Sequence, residues 1–403
     1  MQAAEEVARR SYGKLVAILS ARTRDVAGAE DALADAFAAA LAEWPQAGVP
    51  QAPEAWLLTV ARRRMVDAAR RRITAEQAAP TMLLLSDELA PEREDIPDER
   101  LRLLFACTHP ALEAAVRAPL MLQAVMGFDA ARIGSAFLVA PATMGQRLVR
   151  AKARIRDAGI PFSVPGADEL APRLEAVLEA IYAVYSEGWA DPAGTLAQAR
   201  GLADEAIWLG RLLVSLLPGE PEALGLLALM LHAEARRGAR RDAQGGYVPL
   251  TAQDPAQWDA ALADEAERLL WQASRHARPG RFQLEAAVQS AHAVRRHGLS
   301  VDWGAIVALY DALLAQTGSV VVALNRAVAL AQRDGAAAGV AALEALAGDK
   351  RLAQYQPYWA ARAALLAQAG RDAEADPCWE KAIGLEADPA LRRYLQQRRA
   401  GAE

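Results

Sequence analysis

Cysteine is almost absent. The 403-residue chain has two, Cys107 and Cys378, which cannot build a disulfide framework and point to a reducing compartment. Aromatic residues make up only 6%, and runs of alternating Val, Ile and Thr are missing, so strands are hard to place. No apolar run reaches the roughly 18 residues of a membrane span. The N-terminal stretch MQAAEEVARRSYGKLVAIL carries an apolar patch too short and too charged for a secretory leader. A cytoplasmic protein is expected, with no membrane association. A Gly-rich phosphate loop, a nucleophile elbow and a zinc-protease helix are also missing. No enzyme activity, cofactor or metal site is therefore expected. Cys107 and His109 stand two apart with no second pair nearby, which is poor zinc geometry; His109-Pro110 reads instead as a helix boundary. Glu187 has no His or carboxylate at a telling spacing and reads as a capped, partly buried side chain.

What the chain has in surplus is Ala and Leu, within 53% hydrophobic residues. These are strong helix formers, and the fold class expected is all-α. Net charge is −5, unevenly spread: residues 1–160 hold 21 Lys and Arg against 20 Asp and Glu, and the remainder hold 24 against 30. The positive charge of the first part sits in two clusters. One is Arg62, Arg63, Arg64, Arg70, Arg71 and Arg72; the other is Arg147, Arg150, Lys152, Arg154 and Arg156. Clusters matter more than totals for a polyanion, because each neutralised phosphate releases counterions.

The second cluster lies on VAPATMGQRLVRAKARIRDAG (139–159). Pro141 suits a helix start and Gly159 a left-handed cap. Leu148, Ala151 and Ile155 recur at helical spacing. With the short amphipathic segment 129–138 before it, the pattern is helix, tight turn, basic helix, as in a helix-turn-helix. A solvated basic face on a bundle helix is the competing reading. The first cluster lies on 54–72, with Trp56, Leu57, Val60, Ala61 and Ala68 as its apolar face and arginine opposite. Two or three helices are expected over 3–44, then a Pro/Gly-rich loop at 45–53. Residues 73–98 read as an acidic linker, with seven acids within 87–99 against Arg93.

From 167 to the end, helical segments are punctuated by Gly and Pro. Gly335 and Gly370 mark turns 35 residues apart, close to the roughly 34-residue tetratricopeptide period. A solenoid with a concave face for a protein or ligand partner is one reading; an ordinary Ala-rich helical array is the other. Trp189, Trp208, Trp258, Trp271, Trp303, Trp359 and Trp379 fall at helical packing positions and are expected in the core.

Taken together, AEDALADAFAAALAEWP, a loop and AWLLTVARRRMVDAARRR resemble sigma region 2 of the extracytoplasmic-function (ECF) sigma factors, in the sigma-70 family. Ala55, Trp56, Leu57, Ala61, Arg62, Asp67, Arg70 and Arg71 fit that family's pattern; Arg63 departs, standing where Asn is common. Thr143-Met144-Gly145-Gln146-Arg147-Leu148-Val149-Arg150-Ala151-Lys152 resembles the recognition helix of sigma region 4. FACTHPAL (105–112) and AIYAVYSEGWADPAG (180–194) resemble the long-tailed ECF subgroup with a tetratricopeptide-like C-terminal extension.

The resemblance implies four parts: region 2 at 1–72, an acidic linker at 73–98, region 4 at 99–160 and a regulatory helical domain at 167–403. It implies transcription initiation with core RNA polymerase and promoter DNA as partners. Asp31, Asp35 and Phe37 would dock on polymerase. Trp56, Arg62, Arg63, Arg64, Arg70 and Arg71 would contact the −10 element, opened to single strands. Thr143, Gln146 and Arg147 would meet base edges of the −35 element, and Arg150, Lys152 and Arg154 its phosphates. The C-terminal domain would modulate activity in cis. The alternative is a one-component helix-turn-helix regulator with a helical-repeat sensor, which leaves 54–72 unexplained.

Overall fold

The Ala- and Leu-rich segments fold as helices along the whole chain. A computed structural model describes residues 2–71, 98–137, 139–189 and 197–401, and among these it contains α-helices and short 3-10 turns but no strand. The expected linker lies, but for Asp98, outside the described residues. The chain divides into two compact units, residues 1–188 and 189–403.

The first unit holds α1 (Gln2–Thr23), α2 (Val26–Ala47), α3 (Pro53–Arg71), α4 (Arg100–Cys107), α5 (Ala114–Met126), α6 (Ala130–Ala136), α7 (Pro141–Asp157) and nearly all of α8 (Ala167–Trp189). Helix α1 is the axis, packed against α2, α3, α4 and α5. Leu15, Val16, Leu19, Leu33, Leu57, Leu103, Leu104, Phe105, Leu120 and Met121 fill the core. Gly13 lets α1 approach α5 closely: a Cβ there would sit 2.2 Å from the carbonyl oxygen of Val125. Asp25 caps α2 by accepting from the Gly28 amide at 3.0 Å. The expected loop is shorter than 45–53, because α2 runs on through Pro45 to Ala47.

Two expectations shift. The C-terminal domain was expected from 167, yet α8 belongs to the first unit. Arg173, buried, donates to the carbonyl oxygen of Phe105 at 2.7 Å, and Leu174, Val177, Leu178 and Ile181 are buried along the same helix. Glu187 is exposed by surface area, yet burial still raises its carboxyl.

The second unit runs through α9 (Ala197–Leu216), α10 (Pro221–Ala235), α11 (Ala260–Ser274), α12 (Arg281–Ala293), α13 (Trp303–Thr317), α14 (Val320–Asp334), α15 (Ala336–Glu344), α16 (Gln356–Gln368), α17 (Asp372–Leu385) and α18 (Pro389–Arg399). The main contacts join helices one or two places apart in order. Gly335 and Gly370 do mark turns, both at positive φ. Glu222 ties α10 to α12 by accepting from the amides of Phe282 and Gln283 at 3.0 and 3.1 Å, satisfying the free N–H groups at the start of α12. The loop after α10 crosses to α18: Arg241 pairs with Asp388 at 2.6 Å, and the Tyr247 and Tyr394 rings meet edge-on at 5.3 Å. Trp208 and Trp271 are exposed, the latter by 63%, and so do not join the core as expected. A helical period places a residue on a face but cannot say whether a neighbour covers it.

Candidate nucleic-acid interface

Helix α7 is built as an amphipathic rod. Met144, Leu148, Ala151 and Ile155 are buried along one side, while Thr143, Gln146, Arg147, Val149, Arg150 and Arg154 are exposed on the others. The turn before it is tight. The Val139 amide donates to Gly134 O at 2.8 Å, and a Cβ on Gly134 would lie 2.7 Å from the Val139 oxygen. Only glycine admits this close approach. Pro141 opens α7 without losing a needed N–H.

Arg147, Arg150 and Arg154 line one wall of a groove of about 440 Å³. Leu112, Glu113 and Val116, at the start of α5, form the other wall. The Arg150 guanidinium donates to the backbone oxygen of Gln146, and no carboxylate forms an ion pair with any of the three arginines among the described residues. Three unpaired guanidiniums on one exposed face are suited to a polyanion.

Lys152 departs from this pattern. It turns away from the arginines and pairs with Glu30 of α2 at 2.6 Å, the two side chains being 11% and 12% exposed. Lys152 follows the buried Ala151 and points back toward α2, which packs there. Burial pushes the Glu30 carboxyl up, against the pull of Lys152, and the neighbouring Asp31 and Asp25 push it the same way. Cys107, beneath this pair, is fully buried and its thiol is raised by burial.

The other expected contacts sit on α2 and α3. Asp31 and Asp35 are exposed on α2, and Phe37 is half-buried. Trp56 is half-buried on α3 and meets Trp44 edge-on at 5.5 Å. Glu54, at the start of α3, pairs with Lys14 of α1 at 3.2 Å, which fixes the entry of the helix. Arg63 and Arg64 are exposed, and Arg62 is half-buried. The side chains of Arg70 and Arg71 lie outside the described residues. The sequence reading gave no role to two side chains: Glu30, and Val149, which is 64% exposed in the middle of α7. The helical period of the apolar stripe leaves Val149 off the buried face, a signal that could have found it.

His109 closes the loop after α4, accepting from the Ala111 amide through Nδ1 at 3.1 Å. No helix among the described residues is long and apolar enough to cross a membrane.

Comparison with known proteins agrees with the first unit. Residues 7–73 match sigma-70 region 2, the domain through which sigma factors bind core RNA polymerase for promoter recognition, so the chain carries a sigma-70 region 2 domain at its N-terminus. Residues 173–274 match a family of unknown function, DUF6596, which spans the end of the first unit and the start of the second. The chain is 42% identical over 376 residues to the uncharacterized protein R00370 of Rhizobium meliloti (strain 1021), covering 91% of this chain and 88% of the relative. The chain belongs to the same family as that protein. No solved structure matches it.

Proposed function

We propose that the protein is an ECF-type sigma factor that binds core RNA polymerase and directs it to promoters, with a C-terminal helical unit that modulates this activity in cis. The observation that carries the reading is the pairing of a sigma-70 region 2 match with a second basic helix, α7. There Arg147, Arg150 and Arg154 stand exposed, with no acidic partner among the described residues. On this reading α6, its turn and α7 act as a helix-turn-helix on the −35 duplex. Thr143, Gln146 and Arg147 meet base edges and Arg150 and Arg154 meet phosphates. Val149 is placed to touch a thymine methyl. Helix α2 presents Asp31 and Asp35 to the polymerase. Helix α3 presents Trp56, Arg63 and Arg64 to the opened −10 strand, where stacking and cationic contacts favour unpaired bases.

The cis role rests on covalent attachment and on the acidic balance of the chain after residue 160, which opposes the basic helices. A tetratricopeptide-like partner surface on the second unit belongs to the same reading, supported by its neighbour-to-neighbour helix packing. Purified full-length protein mixed with core polymerase and promoter templates tests the proposal. Start-site-specific transcripts that need the protein support it. Duplex binding with no polymerase association would favour the one-component regulator.

A further inference from the structure

We propose that the end of α11, in the second unit, is a further nucleic-acid contact. Trp271 stacks there on an unpaired base of single-stranded DNA, while Arg268, Arg275 and Arg278 hold its phosphates. The choice of DNA rests on the reading above, in which the chain works at promoters opened to single strands; the contact itself is read from the second unit alone.

The sequence prepares the patch. No Asp or Glu stands between Glu267 and Glu285, whereas four arginines do. Positions 268, 271 and 275 are three and four apart, so Arg268, Trp271 and Arg275 share one face of α11. Ala263, Ala266 and Ala273 take the opposite face into the core. Trp271 is 63% exposed, and the Arg275 guanidinium lies 5.1 Å from its ring centroid. Packing makes little use of this indole.

The charges here are unusual for the second unit. Arg211, Arg296, Arg326 and Arg371 each meet a carboxylate of another segment. Arg268, Arg275 and Arg278 are exposed, and no carboxylate pairs with any of them among the described residues. The turn that carries Arg278 is held in place. Ala277 takes a left-handed backbone, with φ of 49°, which is disfavoured for a residue with a Cβ. The Gln283 side chain donates to the Arg278 carbonyl oxygen at 2.9 Å, and that of Gln316 to the Pro279 oxygen at 3.0 Å. Strain maintained by surrounding bonds goes with binding sites.

An aromatic ring among unpaired arginines selects its ligand. A single strand offers phosphates to the guanidiniums and an open π-face to the indole, and stacking tolerates any base. Duplex DNA hides that face, so it can engage the arginines but not the ring. An acidic protein surface would do the same. The exposed indole is therefore what favours an unpaired strand.

The experiment uses the full-length chain, Trp271→Ala, Trp271→Phe and a triple variant with Arg268, Arg275 and Arg278 each changed to Gln. Probes are an oligothymidylate, its duplex with oligoadenylate, an oligouridylate RNA and a strand carrying 5-iododeoxyuridine. Trp271→Ala should weaken strand binding on the order of tenfold and leave duplex binding unchanged. Trp271→Phe, which keeps a ring, should lose much less. The triple variant should lower the salt-dependence slope for the strand by about two. Photocrosslinks should map to residues 268–278, which separates this contact from Trp56 and the arginines of α3. Unchanged strand affinity in Trp271→Ala, with no crosslink in 268–278, overturns the proposal. So does an equal loss on strand and duplex, which leaves phosphate attraction without stacking. Loss of polymerase binding alone overturns it too, by making the face a protein contact. Tighter binding of the RNA overturns DNA as the strand. If Trp271→Ala fails to fold, the other two variants decide, and an unchanged salt slope in the triple variant counts against the contact. A native chain that crosslinks through 268–278 yet binds no polymerase supports this contact and defeats the sigma-factor reading instead.

Discussion

The guanidinium of Arg173 on α8 reaches the carbonyl oxygen of Phe105 on α4, at 2.7 Å, across 68 residues of sequence. Both groups are buried, and the guanidinium also lies 5.9 Å from the Phe105 ring. This contact ties α8 to the first unit, which runs to Gly188. Burial lowers the Arg173 pKa from its usual value, as expected for a cation held by a neutral acceptor. Arg173→Ala should therefore destabilise the first unit by about 2 kcal/mol, the usual worth of a hydrogen bond to a charged group. The urea midpoint of the full chain measures it, and a variant as stable as the native chain would detach α8 from this unit.

The same boundary sets where a truncation is informative. Removing residues 189–403 leaves α8 in place, whereas cutting near 167 strips the Phe105 carbonyl of its donor. If the second unit modulates activity in cis, promoter-specific transcription by residues 1–188 should differ from that of the full chain. Equal activity under every condition tried would leave the second unit without a regulatory role.

On α7, position along the helix separates two kinds of arginine. Arg147→Ala should cost about 1–3 kcal/mol of discrimination between the promoter and a site altered at the base it meets. Arg154→Ala should weaken all sequences alike and reduce the salt-dependence slope by about one. Duplex titrations at several salt concentrations distinguish these outcomes. Equal losses on every sequence for Arg147→Ala would make it a phosphate contact.

Trp56 serves packing and, on the proposed function, strand opening. Its edge-on contact with Trp44 is of the kind worth about 0.5–1.5 kcal/mol beyond burial. Trp56→Phe should keep the fold, lowering the melting temperature only slightly. It should slow promoter opening, read by permanganate reactivity of unpaired thymines, while −35 duplex binding stays unchanged. Normal opening by the Phe variant would remove Trp56 from the strand-contacting set.

The second unit should be acid-sensitive through His232. This ring is buried on α10, and desolvation together with Arg236 and Arg296 drives its pKa down to about 3. Glu267 stands 3.5 Å away, but the ring is neutral at pH 7, so the two do not form an ion pair. The unfolded chain takes up this proton near pH 6.5 and the folded one does not, so stability is complete above that pH and is lost as pH falls toward 3. The loss between pH 7 and pH 5 is about 2 kcal/mol for this group. His232→Gln should flatten the profile by that amount in urea unfolding of the second unit. An unchanged profile would assign the acid loss elsewhere, with His292, lowered to about 4 by burial, next in line.

Most of the helices were legible in the sequence. Helix α7 shows why: Pro141 starts it, Met144, Leu148, Ala151 and Ile155 space its buried side, and Gly159 follows its end. Capping and periodicity are local, so neighbouring residues suffice to specify them. The exposed arginines Arg147, Arg150 and Arg154 were legible for the same reason, since a stripe of apolar residues fixes the opposite face. The outcome for Lys152 was not legible, because its partner, Glu30, is 122 residues away and the contact depends on how α2 and α7 meet. Trp271 carries the same lesson in reverse, spaced for a core yet left uncovered. By itself the sequence determined the helices, their apolar sides and where positive charge collects. Tertiary structure alone decided that Lys152 is paired while Arg147, Arg150 and Arg154 stay exposed, that α8 joins the first unit, and that Arg241 reaches Asp388 across the second. Each of these depends on desolvation and distance between segments far apart in the chain, and a local pattern carries no information about either.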